Sequence, residues 1–253
     1  MEKFQNIVIF KSQIESNGTK YHAFSGAVIG WIAPQSYVLF KYLEITSCEI
    51  NVFSVQQWNS HAGALIGELQ FSSIVSIFNI QIENTSIITN ANISVSYSGG
   101  FVGKQLINTN MTIQDSQITN SNISAIQQYY NISFSGSYIG QTFAVVFLQN
   151  TSSESIQILC KAETQSWAGG IIGQFNTSIT TTTILQVNFV IIQNINITSQ
   201  SIQIGAKMVG NYYEILIGTI QITNSFTKGV NFLNEIQVSN CLDIISIDSQ
   251  NGC

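Results

Sequence analysis

The sequence predicts an all-β repeat protein built as a stack of similar coils. A glycine-containing hexad, SGGFVG at residues 98–103, has near-copies at 25–30 (SGAVIG), 62–67 (AGALIG), 135–140 (SGSYIG) and 168–173 (AGGIIG), with a degenerate copy at 205–210 (GAKMVG). The closing glycines of the hexads lie 37, 36, 37, 33 and 37 residues apart. A period this regular is typical of a solenoid, in which each repeat stacks on its neighbours.

The segments between the hexads alternate apolar and polar residues, as β-strands with one buried face do. This pattern predicts strands in the segments 92–97, 111–114, 195–198, 202–204 and 220–223. Each repeat contains about three such segments, which favours one coil of three strands per repeat, although two smaller coils per repeat stay open as an alternative. The single proline, Pro34, follows the first hexad at a position that fits a corner.

The two glycines of each hexad lie four residues apart, so in a strand they would share one face. Either a tight corner with positive φ or the close approach of another chain segment would explain them. The large apolar residue two positions before each closing glycine is predicted to form one buried column. Its members are Val28, Leu65, Phe101, Tyr138, Ile171 and Met208.

Over residues of about 25 to 240, the hexads resemble the GLUG-motif repeats, whose core reads roughly Gly-Gly-Leu-Val-Gly. Ala27, Ala64 and Ser137 depart from this core by replacing its second glycine. The resemblance implies a right-handed parallel β-helix and an association with adhesins, on the cell surface or secreted. We therefore predict a single domain over 1–253: an N-terminal partial coil at 1–24, six repeats of 33–37 residues over 25–210, and a C-terminal coil and cap at 211–253.

The composition argues against two classes of partner. Charged residues make up 8% of the chain, arginine is absent, the eight lysines are scattered and the net charge is -5. Nucleic-acid binding requires clustered cations, so no nucleic-acid partner is expected. No apolar run approaches the roughly 18 residues of a transmembrane helix, and the apolar N-terminal residues 1–11 are too interrupted for a signal peptide.

Side chains suited to catalysis or metal binding are few and dispersed along the sequence. The histidines, His22 and His61, precede hexads and are interpreted as loop or surface residues. A polysaccharide-cleaving β-helix enzyme, a lyase or glycoside hydrolase, would need paired carboxylates or a carboxylate-bound cation. The candidate carboxylates do not converge within the repeats; they are Glu44, Glu49, Glu83, Glu154, Asp115, Asp243 and Asp248. No catalytic residue, cofactor or metal site is predicted, and the enzyme is kept as the alternative.

The four cysteines are too far apart in sequence for a zinc motif. Cys48 and Cys160 occupy similar places, 18 and 20 residues after their hexads, but three repeats apart. Strands stack about 4.8 Å apart, so about 14 Å would separate them, which is too far for a disulfide. Both are predicted to be buried thiols, and Cys241 with Cys253 is the one plausible local bridge.

Nine Asn-x-Ser/Thr sequons would suit a secreted glycoprotein, although an alternating chain rich in Asn, Ser and Thr also generates sequons without selection. They begin at Asn17, Asn84, Asn92, Asn110, Asn122, Asn131, Asn150, Asn176 and Asn196. The threonine run 180–183 does not recur at the repeat spacing, so it predicts no ice-binding face. Five aromatic residues near the hexads could stack on sugars or cap the stack; they are Trp31, Trp58, Trp167, Tyr212 and Tyr213.

These observations favour a non-catalytic, extracellular or cell-surface β-solenoid that acts as an adhesin-like binding module or a structural spacer. The candidate partners are carbohydrate and host or cell-surface protein, because Asn, Ser, Thr and Gln side chains hydrogen-bond hydroxyls and backbone groups without strong charge.

Overall fold

A computed structural model describes most of the chain as a continuous stack of β-coils. The described residues are 2–19, 22–55, 59–129, 132–176, 183–200, 203–213, 218–223, 225–228 and 231–234. All regular elements among them are strands. The second half of the predicted C-terminal cap, residues 235–253, lies outside the described residues.

The strands follow the chain in short, similar groups. The first thirteen are β1 Glu2–Phe10, β2 Gln13–Gly18, β3 Ala23–Gly26, β4 Ile29–Ile32, β5 Tyr37–Thr46, β6 Glu49–Ser54, β7 Ser60–Gly63, β8 Ile66–Leu69, β9 Ile74–Glu83, β10 Ser86–Ala91, β11 Ser96–Gly99, β12 Val102–Gln105 and β13 Asn110–Gln114. The others are β14 Gln117–Thr119, β15 Asn122–Gln127, β16 Ile132–Gly136, β17 Ile139–Thr142, β18 Val145–Glu154, β19 Gln157–Lys161, β20 Gln165–Asn176, β21 Thr183–Gln193, β22 Asn196–Gln200, β23 Gln203–Tyr213, β24 Gly218–Thr223, β25 Phe226–Lys228 and β26 Asn231–Asn234.

Three parallel sheets run along the stack. Sheet A has the order β1-β5-β9-β13-β18-β21-β24, sheet B the order β2-β6-β10-β15-β19-β22-β26, and sheet C holds β3, β4, β7, β8, β11, β12, β16, β17, β20 and β23. Strands pair one repeat apart, as Glu2 with Val38 and Val38 with Val75. The structure thus confirms the right-handed parallel β-helix and the arrangement of one three-sheet coil per repeat.

The interior of the stack is filled by columns of identical or similar apolar residues. On sheet B, successive strands place isoleucines directly over one another, and all are at most 1% exposed; they are Ile50, Ile87, Ile123, Ile158 and Ile197. Each such burial is worth about 1.5–3 kcal/mol. The alternation read from the sequence therefore predicts the inner columns correctly.

One predicted strand begins later than expected. In the segment 92–97 the strand starts at Ser96, because Asn92 and Ser94 bind the previous coil through their side chains. Asn92 Nδ2 donates to the carbonyl of Val55, and Ser94 Oγ donates to Oδ1 of Asn59 at 2.5 Å. These contacts hold residues 92–95 as a loop between sheets B and C.

Outside the hexads, the coils bend at non-glycine residues with a left-handed backbone conformation, and these residues align in columns. Among the described residues, the fifteen non-glycine residues with positive φ fall into three sets that align from coil to coil. The first set, at the middle of sheet A, is Asn6, Tyr42, Asn79, Asp115, Asn150 and Phe189; the second, between sheets A and B, is Lys11, Ser47, Asn84, Asn120, Ser155 and Asn194; the third, before sheet A, is Gln35, Ser72 and Asn108. Asn and Asp predominate because their short polar side chains tolerate this conformation.

The hexads form the bend inside sheet C, and their large apolar residues stack as predicted. The amide of Leu65 donates to the carbonyl of Phe101, that of Phe101 to Tyr138, and that of Tyr138 to Ile171, at 2.9–3.1 Å. All four side chains are buried, and the rings of Phe101 and Tyr138 stack with centroids 5.5 Å apart. Val28, on the first coil, is only partly buried. The side chain of Met208 lies outside the described set.

Close approach, rather than positive φ, explains the hexad glycines. Ten of the hexad glycines have φ outside the left-handed region: Gly26, Gly30, Gly63, Gly67, Gly99, Gly100, Gly103, Gly136, Gly140 and Gly173. A Cβ on Gly103 would lie 2.6 Å from the carbonyl oxygen of Gly67 and 2.7 Å from the backbone N and O of Ala62. Real Cβ atoms do not approach backbone this closely, so the site accepts only hydrogen.

These contacts show that sheet C folds back on itself. Each coil contributes a first arm before the bend (β3, β7, β11 or β16) and a second arm after it (β4, β8, β12 or β17). The second arm packs on the first arm of the preceding coil, as Gly103 in β12 does on Ala62 in β7 and Gly140 in β17 on Ser98 in β11. We call the side chains enclosed between the two sets of arms the arm seam.

Candidate functional site

The arm seam is the part of the described chain where ionisable side chains converge. Its first wall is a ladder of rings from Phe24, His61, Tyr97 and Phe134, which pair in register on successive first arms. Ring centroids are 5.0 Å apart from Phe24 to His61, 4.8 Å from His61 to Tyr97 and 5.3 Å from Tyr97 to Phe134. Such distances are those of favourable aromatic contacts.

The second wall carries the polar members of the seam on successive second arms. Trp31, Glu68, Lys104 and Gln141 pair in register. The column continues to Gln174, whose Oε1 accepts a hydrogen bond from Nε2 of Gln141. The seam is therefore charged over its first coils and lined by neutral amides further along.

His61 and Glu68 face each other across the seam. Nδ1 of His61 lies 2.9 Å from Oε2 of Glu68, an ion-pair distance, but neither imidazole nitrogen has a hydrogen bond of acceptable geometry. His61 is completely buried, and burial lowers its pKa to about 4 against the opposing pull of Glu68. The ring is therefore neutral at pH 7.

Glu68 is held ionised by its neighbours. Burial favours its protonated form, but the contact with His61 and the positive charge of Lys104 outweigh burial, so the pKa of Glu68 lies below its usual value. Its Oε1 also accepts a hydrogen bond from Nε2 of Gln70. Oε1 of the carboxylate is therefore hydrogen-bonded, and Oε2 lies at ion-pair distance from Nδ1 of His61.

Lys104 supplies the compensating positive charge. Its Nζ lies 4.4 Å from the centroid of the Tyr97 ring, a cation–π contact. Burial lowers the pKa of Lys104 and the carboxylate of Glu68 opposes this shift, while burial also raises the pKa of Tyr97. The seam therefore brings together a carboxylate, an amine, a neutral imidazole and a neutral phenol.

This finding corrects the interpretation of His61 as a loop or surface residue. His61 lies within β7 and is fully enclosed, because the second arms cover the face of the first arms that would otherwise meet solvent. His22 is exposed, as expected; its ring stacks on Phe24 at 5.6 Å and meets the edge of His61 at 5.7 Å. The sequence interpretation held for one histidine and was wrong for the other.

The cluster is not arranged for glycoside cleavage. Such chemistry uses two carboxylates on opposite sides of a bound sugar, and the cluster contains one carboxylate, at 5% exposure. Among the described residues, no three His, Cys, Asp or Glu side chains are placed to hold a metal ion.

The other candidate carboxylates lie at the surface, near the bend between sheets A and B. Glu44, Glu49, Glu83 and Glu154 are all exposed. Glu83 and Glu154 share one column of sheet A but are separated by Thr119 of the intervening coil, and Glu44 lies in a neighbouring column. Asp115 occupies a bend and accepts hydrogen bonds from Asn150 and Gln114. Asp243 and Asp248 lie outside the described residues.

Cys48 and Cys160 are buried free thiols, as predicted, but they occupy different columns. Cys48 precedes β6, where its thiol contacts the carbonyls of Ile9 and Thr46. Cys160 lies inside β19, aligned with Ala125, and its Sγ is 3.1 Å from Oγ of Ser133. Burial raises the pKa of Cys160 to about 12, so this thiol is unreactive. The proposed Cys241–Cys253 bridge lies outside the described residues.

The aromatic candidates differ in exposure. Trp31, at the first rung of the seam, is 45% exposed, whereas Trp167 is only partly exposed and continues the column of Phe134. Trp58 and the side chains of Tyr212 and Tyr213 are outside the described set, and so are Asn131 and the threonines 180–182.

Six of the sequon asparagines are exposed, namely Asn17, Asn84, Asn110, Asn122, Asn150 and Asn196, whereas Asn92 and Asn176 are half-buried.

The fold and the seam define a three-sheet parallel β-solenoid whose third sheet is folded on itself around a polar and aromatic seam. No family model matches the chain, and comparisons with curated proteins and with solved structures give no significant match. None of the described residues forms a helix long and apolar enough to cross a membrane.

Proposed function

We propose that the protein is a non-catalytic β-solenoid of the cell surface or extracellular space, acting as an adhesin-like binding module or a structural spacer. The observation that carries the proposal is the regular polar surface of sheet B. Along sheet B, one column presents a hydrogen-bonding side chain on every coil, in the order Gln13, Glu49, Ser86, Asn122, Gln157 and Asn196.

Such a column matches an extended ligand. Its side chains repeat about every 4.8 Å, the spacing of parallel strands. All but Ser86 are exposed, and the isoleucine column beneath them fixes their positions. Amide and hydroxyl groups held in a row can hydrogen-bond the hydroxyls of a glycan chain or the backbone of an extended peptide at low desolvation cost.

Two further observations support an extracellular place. The hexads resemble GLUG repeats, and the described sequons are mostly at the surface, where an attached glycan would fit without unfolding a coil. Antibody staining of unpermeabilised cells of the source organism tests this part of the proposal. Signal on intact cells is expected, and signal that appears only after permeabilisation would contradict it.

Binding is tested with the purified chain and insoluble polysaccharides, cellulose and chitin, alongside immobilised extracellular-matrix protein. An adhesin-like module is expected to bind one of these, and the double variant Asn122→Ala/Gln157→Ala should bind it at least several-fold more weakly. The matched control, Asn110→Ala/Gln114→Ala on sheet A, should bind like the parent. Surface staining without binding would favour the spacer role.

The polysaccharide-cleaving alternative is tested by assaying the same purified chain for depolymerisation. Depolymerisation of an acidic polysaccharide that disappears in Glu68→Gln or in Glu83→Gln/Glu154→Gln would overturn the non-catalytic assignment. Absence of cleavage by the parent chain, with intact folding shown by circular dichroism, is the expected result.

A further inference from the structure

The charged end of the seam holds ionisable side chains, which the amide end lacks, whereas buried polar atoms without a hydrogen-bond partner occur at both ends, at His61 and at Oε1 of Gln141. His61 is completely enclosed between arms, and its Nε2 has no hydrogen-bond partner. A buried polar atom without a partner costs free energy that the open arms would recover from water. At the amide end, Phe134 takes the place of the imidazole in the ring column. The side chains of Gln141 and Gln174 carry no charge and hydrogen-bond one another.

We propose that the charged end of the seam is an acid-sensitive latch, so that mild acidification separates the arms around His61 and Glu68 while the amide end stays closed. The separation would expose the ring ladder of Phe24, Tyr97 and Phe134 to solvent. The elements that move are β7 and β8, which are joined by the bend of the hexad at 62–67 and contact each other across the seam through His61 and Glu68.

All groups that titrate against His61 belong to the elements packed around it. His22 precedes β3, Glu68 lies in β8, Tyr97 in β11 and Lys104 in β12. Between pH 5 and 7, Tyr97 is a neutral phenol because burial raises its pKa, and Glu68 is ionised because its pKa lies below the usual value. Burial lowers the pKa of Lys104, and the carboxylate of Glu68 opposes this shift. His22 is near the surface, and its lowered pKa acts in the same direction as that of His61.

The direction of the effect follows from proton binding. With the arms open, the imidazole of His61 binds a proton near its ordinary pKa of 6.5, whereas with the arms closed it does so only near 4. Below pH 6.5 the open form therefore binds more protons than the closed form, and acid favours opening. From these two values, the equilibrium constant for opening should rise about 20-fold between pH 7 and pH 5.

Native-state hydrogen exchange with mass spectrometry, corrected for intrinsic exchange rates, measures this opening in the full chain. Peptides covering Ser60–Leu69 should show the roughly 20-fold rise, and peptides covering Ile132–Thr142 should change less than about 3-fold. An equal rise in both regions would mean that acid acts on the whole stack, and would overturn the latch.

Two variants test whether the imidazole of His61 causes the pH dependence. His61→Phe continues the ring ladder with an apolar ring, and His61→Gln copies the polar but non-titrating rungs further along. Each should abolish most of the pH dependence at Ser60–Leu69, and far-UV circular dichroism establishes that each is folded. Glu49→Gln, at an exposed carboxylate, is the control and should respond as the parent does. A full acid response in both folded His61 variants would refute the proposal.

Discussion

The two ends of the arm seam share one backbone geometry but are filled by different chemistry. At the charged end, His61, Glu68, Lys104 and Tyr97 occupy successive rungs; at the amide end, Phe134 faces Gln141, which bonds Gln174. In both, glycines of the second arm press on the backbone of the first. The glycines therefore set the distance between the arms, whereas the side chains determine which groups between the arms can titrate.

The largest effect is expected where the shared geometry is broken. Gly103→Val should lower the free energy of unfolding by several kcal/mol, because its Cβ would overlap the backbone of Gly67 and Ala62. Gly30→Ala on the first coil is the matched control, since its Cβ would meet no atom closer than 3.2 Å and should cost less than about 1 kcal/mol. Urea unfolding of both variants measures the difference; equal costs would contradict the role of arm contact.

A smaller effect tests the charge balance of one end. Glu68→Gln leaves the partly buried side chain of Lys104 without the carboxylate that stabilises its charged form, and should destabilise the protein by about 1–3 kcal/mol at pH 7. The double variant Glu68→Gln/Lys104→Gln, which copies the amide end, should recover most of this loss. A double-mutant cycle by urea unfolding gives the coupling energy. Additive costs would show that the two charges do not interact across the seam.

The pH dependence of overall stability is expected to be smaller still. Because the folded pKa of His61 is lowered from 6.5 to about 4, the unfolded chain binds the extra proton between these values, and stability falls as pH drops through that window. From pH 7 to pH 5 the loss should be about 2 kcal/mol, since one pKa unit corresponds to about 1.4 kcal/mol. Thermal melts at both pH values, with His61→Phe as comparison, measure it. A loss of the same size in the variant would assign the effect to other groups.

The smallest effect is expected from the hydroxyl of Tyr138, which lies in the apolar column of the hexads. The buried hydroxyl of Tyr138 has no hydrogen bond of acceptable geometry with the hydroxyls of Thr151 and Ser153. Removing it in Tyr138→Phe should therefore change stability by less than about 1 kcal/mol, whereas Tyr138→Ala should cost about 3–5 kcal/mol by leaving a cavity. Thermal melts distinguish the two; a large loss in Tyr138→Phe would show that the hydroxyl is bonded in solution.

The fold was predictable because the solenoid repeats its local rules in every coil. The hexad spacing gives the period, and period-two alternation gives the inner columns, of which Ile87 and Ile123 are typical. The seam was not predicted, because alternation assigns the polar face of each strand to solvent. His61 and Glu68 look exposed by that rule, and only the folding of sheet C on itself buries them.

A sequence signal for the seam was nevertheless present. The residue before each of the five regular hexads is aromatic or an imidazole, in the order Phe24, His61, Tyr97, Phe134 and Trp167. A ring at a constant offset from a glycine hexad indicates a second column, on the face opposite to the apolar one. The bends between sheets were missed for a different reason: their left-handed residues are mostly Asn, Asp and Ser, which an Asn-rich chain also places elsewhere.

The overlap of each second arm with the first arm of the coil before it has a mechanical consequence. In a parallel stack the hydrogen bonds between coils point along the long axis, so a pull on the two ends would part the coils one after another. The overlap adds contacts between neighbouring coils that must slide past each other before the coils separate. One example is the contact of Gly140 with the backbone of Ser98 in the previous coil. A stretching force must then both break the hydrogen bonds between coils and slide the overlapping arms past each other. We therefore expect each coil to unfold in a separate force step.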